Sequence, residues 1–306
     1  MKQFVFAIAS IMACAMAAVE ASAATFHVST SGADSNPGTV AEPWASLQHA
    51  VDTIQPGDTI LIESGTYPGC RIGNSGLATA VCTLKASSGA QVLVNAPGPG
   101  NKHASNIEIE NFDATVQYWV IDGLESAGSP KYGIDIRGTD HITVRNCFVH
   151  GSAATGIFMA FCDHPLIESN ESSLNAEHGI YDSNSGDFPV IRGNKIHDNR
   201  NAGIHINGDQ NFTPGDGIIS FALVEQNIIY ENGIGGASGI NCDGVSDSII
   251  RNNLLYNNHA SGISLYATDG AEGSSRDKVY NNTIVMASGA RWCVNIPASD
   301  NGQPNP

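Results

Sequence analysis

The chain has 306 residues, 42% hydrophobic and only 14% charged, with 33 glycines and a formal net charge of −16. That balance excludes an electrostatic nucleic-acid binder, because phosphate contacts need Lys and Arg, and it repels a polyanion unless a local basic patch or a bound cation intervenes. The apolar share is enough for a core, and glycine-rich, charge-poor composition favours turns over helix surface.

In chain order, the first element is a leader. Met1-Lys2-Gln3 is a short basic start, Phe4 to Val19 is apolar apart from Ser10, and Ala21-Ser22-Ala23 is a small-x-small cleavage site. The apolar run is short for a membrane span, which needs about 20 residues. Residues 1–23 therefore read as a signal peptide and the mature protein as secreted or periplasmic, without a membrane span. Ile11-Met12-Ala13-Cys14 faintly resembles a lipoprotein box, which ranks second because the apolar run continues past Cys14.

Residues 24–98 read as an N-terminal cap and first coils. A-T-F-H-V runs from strand into turn, and Pro43 to Ile54 places Trp44, Leu47, Ala50, Val51 and Ile54 at helical period. Pro56-Gly57-Asp58 is a turn before the strand T-I-L-I-E-S-G-T-Y. Export permits disulfides; Cys70 and Cys82 flank a glycine-rich loop and are the best pair, while Cys147, Cys162 and Cys242 suit small buried positions.

Residues 99–306 carry a repeat. Gly-Ile pairs at 133, 156, 179, 203, 239 and 262 are spaced by 23 or 24 residues, with one step of 36 that holds an insertion, roughly Gln210 to Ser220. Asn146, Asn170, Asn194, Asn227, Asn253 and Asn282 recur between them, followed five residues on by Asn175, Asn199, Asn232 and Asn258. Short apolar strands alternate with Asn and Gly turns, and no helical period is present. A unit of this length winds once around a triangular coil, and stacked coils pair as parallel strands. The fold class is all-β, a right-handed parallel β-helix with an N-terminal capping helix, in which the asparagines form corner ladders. The chain ends in S-D-N-G-Q-P-N-P without a polar cap, which reads as an unfinished solenoid.

H-V-S-T-S-G-A-D-S-N-P-G-T, P-W-A-S-L-Q-H-A-V and P-G-D-T-I-L-I-E-S-G-T-Y resemble the N-terminal signature of secreted right-handed parallel β-helix proteins, a group that includes polysaccharide lyases. With the repeats, the resemblance covers most of the mature chain. It implies an acidic-polysaccharide substrate class and, often, calcium.

Alternation within each Gly-Ile segment puts one outward column at Asp135, Phe158, Tyr181, His205, Asn241 and Ser264, and the next at Arg137, Ala160, Ser183, Asn207, Asp243 and Tyr266. This face mixes aromatic, imidazole, carboxylate and amide groups, as a sugar chain requires. β-Elimination of a uronate needs a group that neutralises its carboxylate, a base and an acid. Arg137 is the one basic residue in these columns, and His178 and His205 lie on adjacent coils, so these three are the candidate catalytic residues. Asp135, Phe158, Tyr181, Asn207, Asn241 and Tyr266 are the candidate substrate-binding residues. Asp182 fills a slot held elsewhere by Ile136, Met159, Ile206, Cys242 and Leu265; such a carboxylate needs a bulge or a partner, and with Asp209 and Asp243 it makes a candidate calcium site. No paired aspartates with G-H-G appear, as a polygalacturonase-like hydrolase would show. Y-G-I-D at 132–135 is followed by I-R-G rather than by an epimerase-like P-H-D. The expectation is a monomeric lyase of an acidic glycan. A non-catalytic glycan-binding solenoid, or a hydrolase or epimerase on the same fold, is the alternative.

Overall fold

The computed structural model describes residues 23–111 and 113–297, and the backbone of 299–300 and 303–304. The leader, apart from Ala23, lies outside the described residues, as do residues 301, 302, 305 and 306 of the closing S-D-N-G-Q-P-N-P. Three parallel sheets of ten, nine and nine strands run the length of the solenoid. Face A starts at Thr25–Val28, face B at Gly65–Pro68 and face C at Cys70–Ile72. Each coil contributes one strand to each face, and inward Ile, Val and Leu from all three form one continuous core. Among the described residues, no helix is long and apolar enough to cross a membrane.

The corners explain the repeat. The residue before each ladder asparagine takes a left-handed backbone, as at Ser169 (φ 56°), Gln226 (φ 58°), Asn252 (φ 55°) and Asn281 (φ 55°). The next residue then points into the corner. There Asn170, Asn194, Asn227 and Asn253 each hand their backbone and side-chain N–H groups to the Oδ1 of the following ladder asparagine. The series Asn175, Asn199, Asn232, Asn258 does the same between faces B and C. Asn146 is a correction to the sequence reading. It occupies the left-handed position (φ 54°), and Cys147 stands in the ladder slot, donating only its backbone N–H to Asn170 Oδ1.

 The capping helix spans Leu47–Thr53, shorter than the period over Pro43 to Ile54 suggested. Trp44 is drawn instead into a bridge beside Val28, with its ring stacked on Phe26 at 4.6 Å. The helix begins at the cap Ser46, whose Oγ accepts from the His49 N–H, and buries Leu47, Ala50 and Val51 over the first coil. Cys70 and Cys82 are also corrected. Both thiols are free and buried, because Cys70 opens a strand of face C and Cys82 a strand of face A, each with its side chain in the core. Cys147, Cys162 and Cys242 are buried as expected.

Candidate functional site: the outward side of face C

The strand register places the outward columns as the alternation implied. Asp135, Phe158, Tyr181, His205, Asn241 and Ser264 stand in line, and so do Arg137, Ala160, Ser183, Asn207, Asp243 and Tyr266. The first column also extends one coil earlier to Glu108 and from there to Arg71. At this end a cleft of about 460 Å³ is lined by His103, Glu110, Arg137 and Phe161, with Thr213 and Pro214 of the insertion at its edge.

Charge in the cleft is tightly organised. Arg137 Nε donates to Asp135 Oδ1 at 2.8 Å, and the guanidinium lies 4.4 Å from the Phe158 ring centroid. Its Nη groups have no hydrogen-bond partner among the described residues, so that edge is available to a ligand. Asp135 also accepts from Ser105 Oγ, and burial still pushes its carboxyl up to about 6. Glu108 is fully occupied: it accepts the backbone N–H groups of Lys102 and His103 and pairs with Arg71. Glu110 is different. Burial, and then the neighbouring charge of Glu108, push its carboxyl up to about 7, and its Oε2 lies 3.0 Å from His103 Nε2. Burial holds His103 below the usual imidazole range. A carboxyl that titrates near neutrality, beside an imidazole and a cation with a free edge, can move a proton next to a bound anion.

Further along the solenoid the face becomes aromatic. Tyr132 stacks on Phe158 at 4.4 Å and Tyr181 on His205 at 4.8 Å, while His178 lies 4.8 Å from His205. Rings stacked along the axis spend their faces on one another and turn their edges outward. His178 Nδ1 accepts the Ala202 N–H at 3.1 Å, which leaves the ring proton on Nε2, and burial lowers its titration to about 4. Burial lowers His205 as well; its Nε2 meets the Tyr266 hydroxyl at 3.4 Å, and its Nδ1 is buried without a partner. Beyond it, a smaller hollow of about 200 Å³ is lined by Ser238, Asn241, Ser264, Tyr266 and Arg291.

Residues 26–301 match the family described as Pel9A-like, right handed beta helix region. The chain belongs to that family. Among curated proteins it is 26% identical over 204 residues to pectate lyase PEL9 of Emericella nidulans, covering 60% of this chain and 50% of that one. It is also 26% identical over 209 residues to the uncharacterized protein YwoF of Bacillus subtilis, covering 62% and 45%. The chain thus spans about half the length of these relatives. Among solved structures, pectate lyase Pel9A superposes with a TM-score of 0.61 at 16% identity, over 89% of this chain and 79% of that one. Alginate lyase from Paenibacillus sp. str. FPU-7 superposes with a TM-score of 0.60 at 19% identity, over 88% and 99%. These two likenesses concern the fold.

In this Pel9A-like chain the sequence-read residues fall into separate groups. Arg137 and Asp135 form a pair on the cleft, whereas His178 and His205 meet each other two and three coils further along. Phe158 and Tyr181 are committed to ring contacts, and Asn241 Oδ1 accepts the Ser238 N–H. Asn207 is buried with Oδ1 unpartnered, two coils before Tyr266 in the same column.

The three aspartates do not converge as a set. Asp182 is in register between Met159 and Ile206 and points into the core with no bulge, on the opposite side of the sheet from Asp243. Asp243 is spent on the backbone N–H groups of Thr268, Asp269 and Gly270, and Asp209 Oδ1 on Asn211. His103, Glu108 and Glu110 come together, with ligand atoms within 4.8 Å of one another. Calcium, however, takes six to eight oxygen ligands, and Glu108 is already saturated. Neither grouping fits calcium. His103, Glu108 and Glu110 escaped the sequence reading because Asn106 replaces the repeat glycine before Ile107. The alternation in I-E-I-E, residues 107–110, was the available signal.

Proposed function

We propose that this chain acts on polysaccharide as a lyase of an acidic, uronate-containing glycan, and that the reaction takes place in the Arg137 cleft. The free guanidinium edge of Arg137 beside the near-neutral carboxyl of Glu110 carries the reading. In this scheme Arg137 pairs with the uronate carboxylate and offsets the charge that grows on it as the adjacent C5 proton leaves. Ionised Glu110, held by His103, takes that proton. The C4–O4 bond breaks, the C4–C5 double bond forms, and the leaving oxygen is protonated by solvent at the cleft mouth. The pectate lyase relative and the alginate lyase neighbour support the substrate class. The aromatic stretch with His178 and His205, and the hollow at Asn241 and Tyr266, extend the same strip and are proposed to hold neighbouring sugars. No step is routed through calcium.

The test is incubation of the protein with polygalacturonate and alginate, with calcium or with chelator, while the absorbance of the unsaturated uronate is followed. The chromophore should appear at similar rates in both conditions. Because the base must be ionised, kcat/KM should rise with pH through about 7. Glu110→Gln should lower kcat by about 10²–10⁴ and remove that rise, and Arg137→Ala should lower kcat/KM. Binding without chromophore would instead favour the non-catalytic solenoid, new reducing ends without unsaturation a hydrolase. Strict dependence on calcium would remove Arg137 as the neutralising group.

A further inference from the structure

Away from face C, the corner leading into face A carries a column of left-handed residues: Tyr118, His141, His164, Phe188 and Phe221. Their rings stack at 4.9, 4.5, 4.9 and 4.8 Å. Two successive rungs are Asp-His dipeptides, Asp140-His141 and Asp163-His164, one coil apart. In consequence two imidazoles converge on one carboxylate oxygen: Asp140 Oδ1 lies 2.5 Å from His141 Nδ1 and 3.1 Å from His164 Nδ1. At His27–Glu63, His150–Glu125 and His259–Glu231, by contrast, a single imidazole meets the carboxylate oxygen.

We propose that Asp140, His141 and His164 bind one divalent transition-metal ion of the zinc class. The donor set of two imidazole nitrogens and one carboxylate oxygen suits zinc, nickel or copper and is poor for calcium. The three ligand atoms already lie within 4.8 Å of one another. Separating His141 from the carboxylate by a fraction of an ångström would admit an ion at ordinary Zn–N and Zn–O lengths of about 2.0–2.2 Å. Tyr118 below and Phe188 above hold the imidazole stack in place, so little ordering remains to be done on binding. Asp163 and Asp187 continue the acidic column beside the rings and add attraction for a cation. The site is half-exposed, and a hollow of about 300 Å³ lined by Tyr118, His141, Thr143 and His164 adjoins it, with room for water or an outside ligand on the metal. Phe188 replaces His on the next rung and Tyr118 on the one before, which limits the site to a single ion.

The test is titration of the chelator-treated full chain with zinc chloride by calorimetry, alongside His141→Asn and His164→Asn. Asparagine is chosen because both positions need a left-handed backbone (φ 56° and 51°) that it tolerates. Each variant should bind one zinc fewer per chain than the wild type. If residual binding remains at that site, it should be weakened by more than the roughly 10–100-fold that losing an outer partner costs. Zinc should raise the Tm of the wild type but not of the variants, while their metal-free Tm and their polysaccharide turnover stay near wild type. Unchanged zinc stoichiometry and affinity in both variants would overturn the proposal, as would a wild type that takes up no zinc.

Discussion

Asp182 is a carboxyl in a slot made for a hydrocarbon. Its column neighbours are Met159 and Ile206, its Oδ1 has no partner, and burial pushes its titration up to about 8. Because the folded value lies above the unfolded one, the native state holds a proton that the unfolded chain has lost. Stability is therefore unaffected by this group below about pH 4, falls as pH rises towards 8, and levels off above that. The size is roughly 6 kcal/mol at most, at 1.36 kcal/mol per unit. Urea unfolding at pH 4.5 and pH 8 should show the wild type losing stability across that range and Asp182→Asn losing distinctly less. Equal losses in the two proteins would mean that the carboxyl is not held protonated. The oddity of this position was legible in the sequence as the one acid in an apolar series. Its direction was not, because a continuous register and a bulge give the same spacing.

At the scale of the element, the asparagine ladder accounts for why the repeat was so readable. Each rung satisfies buried backbone groups on two coils, so the residue is specified by hydrogen bonding, and the period follows from the stacking. The reading failed where chemistry left the spacing unchanged. Asn146 is displaced by one position, and Cys147 fills the slot at the head of the ladder. There the Ile121 carbonyl lies 4.0 Å from the Cys147 Sγ, where a ladder asparagine would donate, and the Leu124 N–H is directed at the same sulfur. Cys147→Asn is close to isosteric and would give both groups a strong partner. It should raise stability by about 1 kcal/mol, the usual net value of a hydrogen bond. Asn227→Ala, in the middle of the same ladder, should cost several kcal/mol because it strands the Asn194 backbone and side-chain donors and the Ile191 carbonyl on the preceding coil and removes one of the two hydrogen bonds to Asn253 Oδ1 on the next. Denaturant midpoints of the two variants check both signs, and a destabilised Cys147→Asn would show that the slot cannot accept the amide.

At the scale of the whole molecule, the solenoid predicts columns but leaves open which coils carry a site. All outward positions look alike in a repeat, and what singles out the Arg137 cleft is its walls, including Thr213 and Pro214 of the insertion and His103 of an earlier loop. Those contacts join residues far apart in sequence, beyond the reach of a local pattern. The same scale sets how an acidic glycan would arrive. A chain of net charge −16 repels a polyuronate at long range, and the attraction of Arg137, partly offset by Asp135, acts only on contact. Screening should therefore help. Raising ionic strength from about 0.01 M to 0.15 M shortens the Debye length from about 30 Å to 8 Å, which removes most of the long-range repulsion and leaves the buried contact largely intact. The kcat/KM for polygalacturonate or alginate should rise over that range, and that for a methyl-esterified, uncharged substrate should stay flat. A fall with added salt for the acidic substrate would mean that a basic surface steers it, and the Arg137 cleft would then be the wrong place to look.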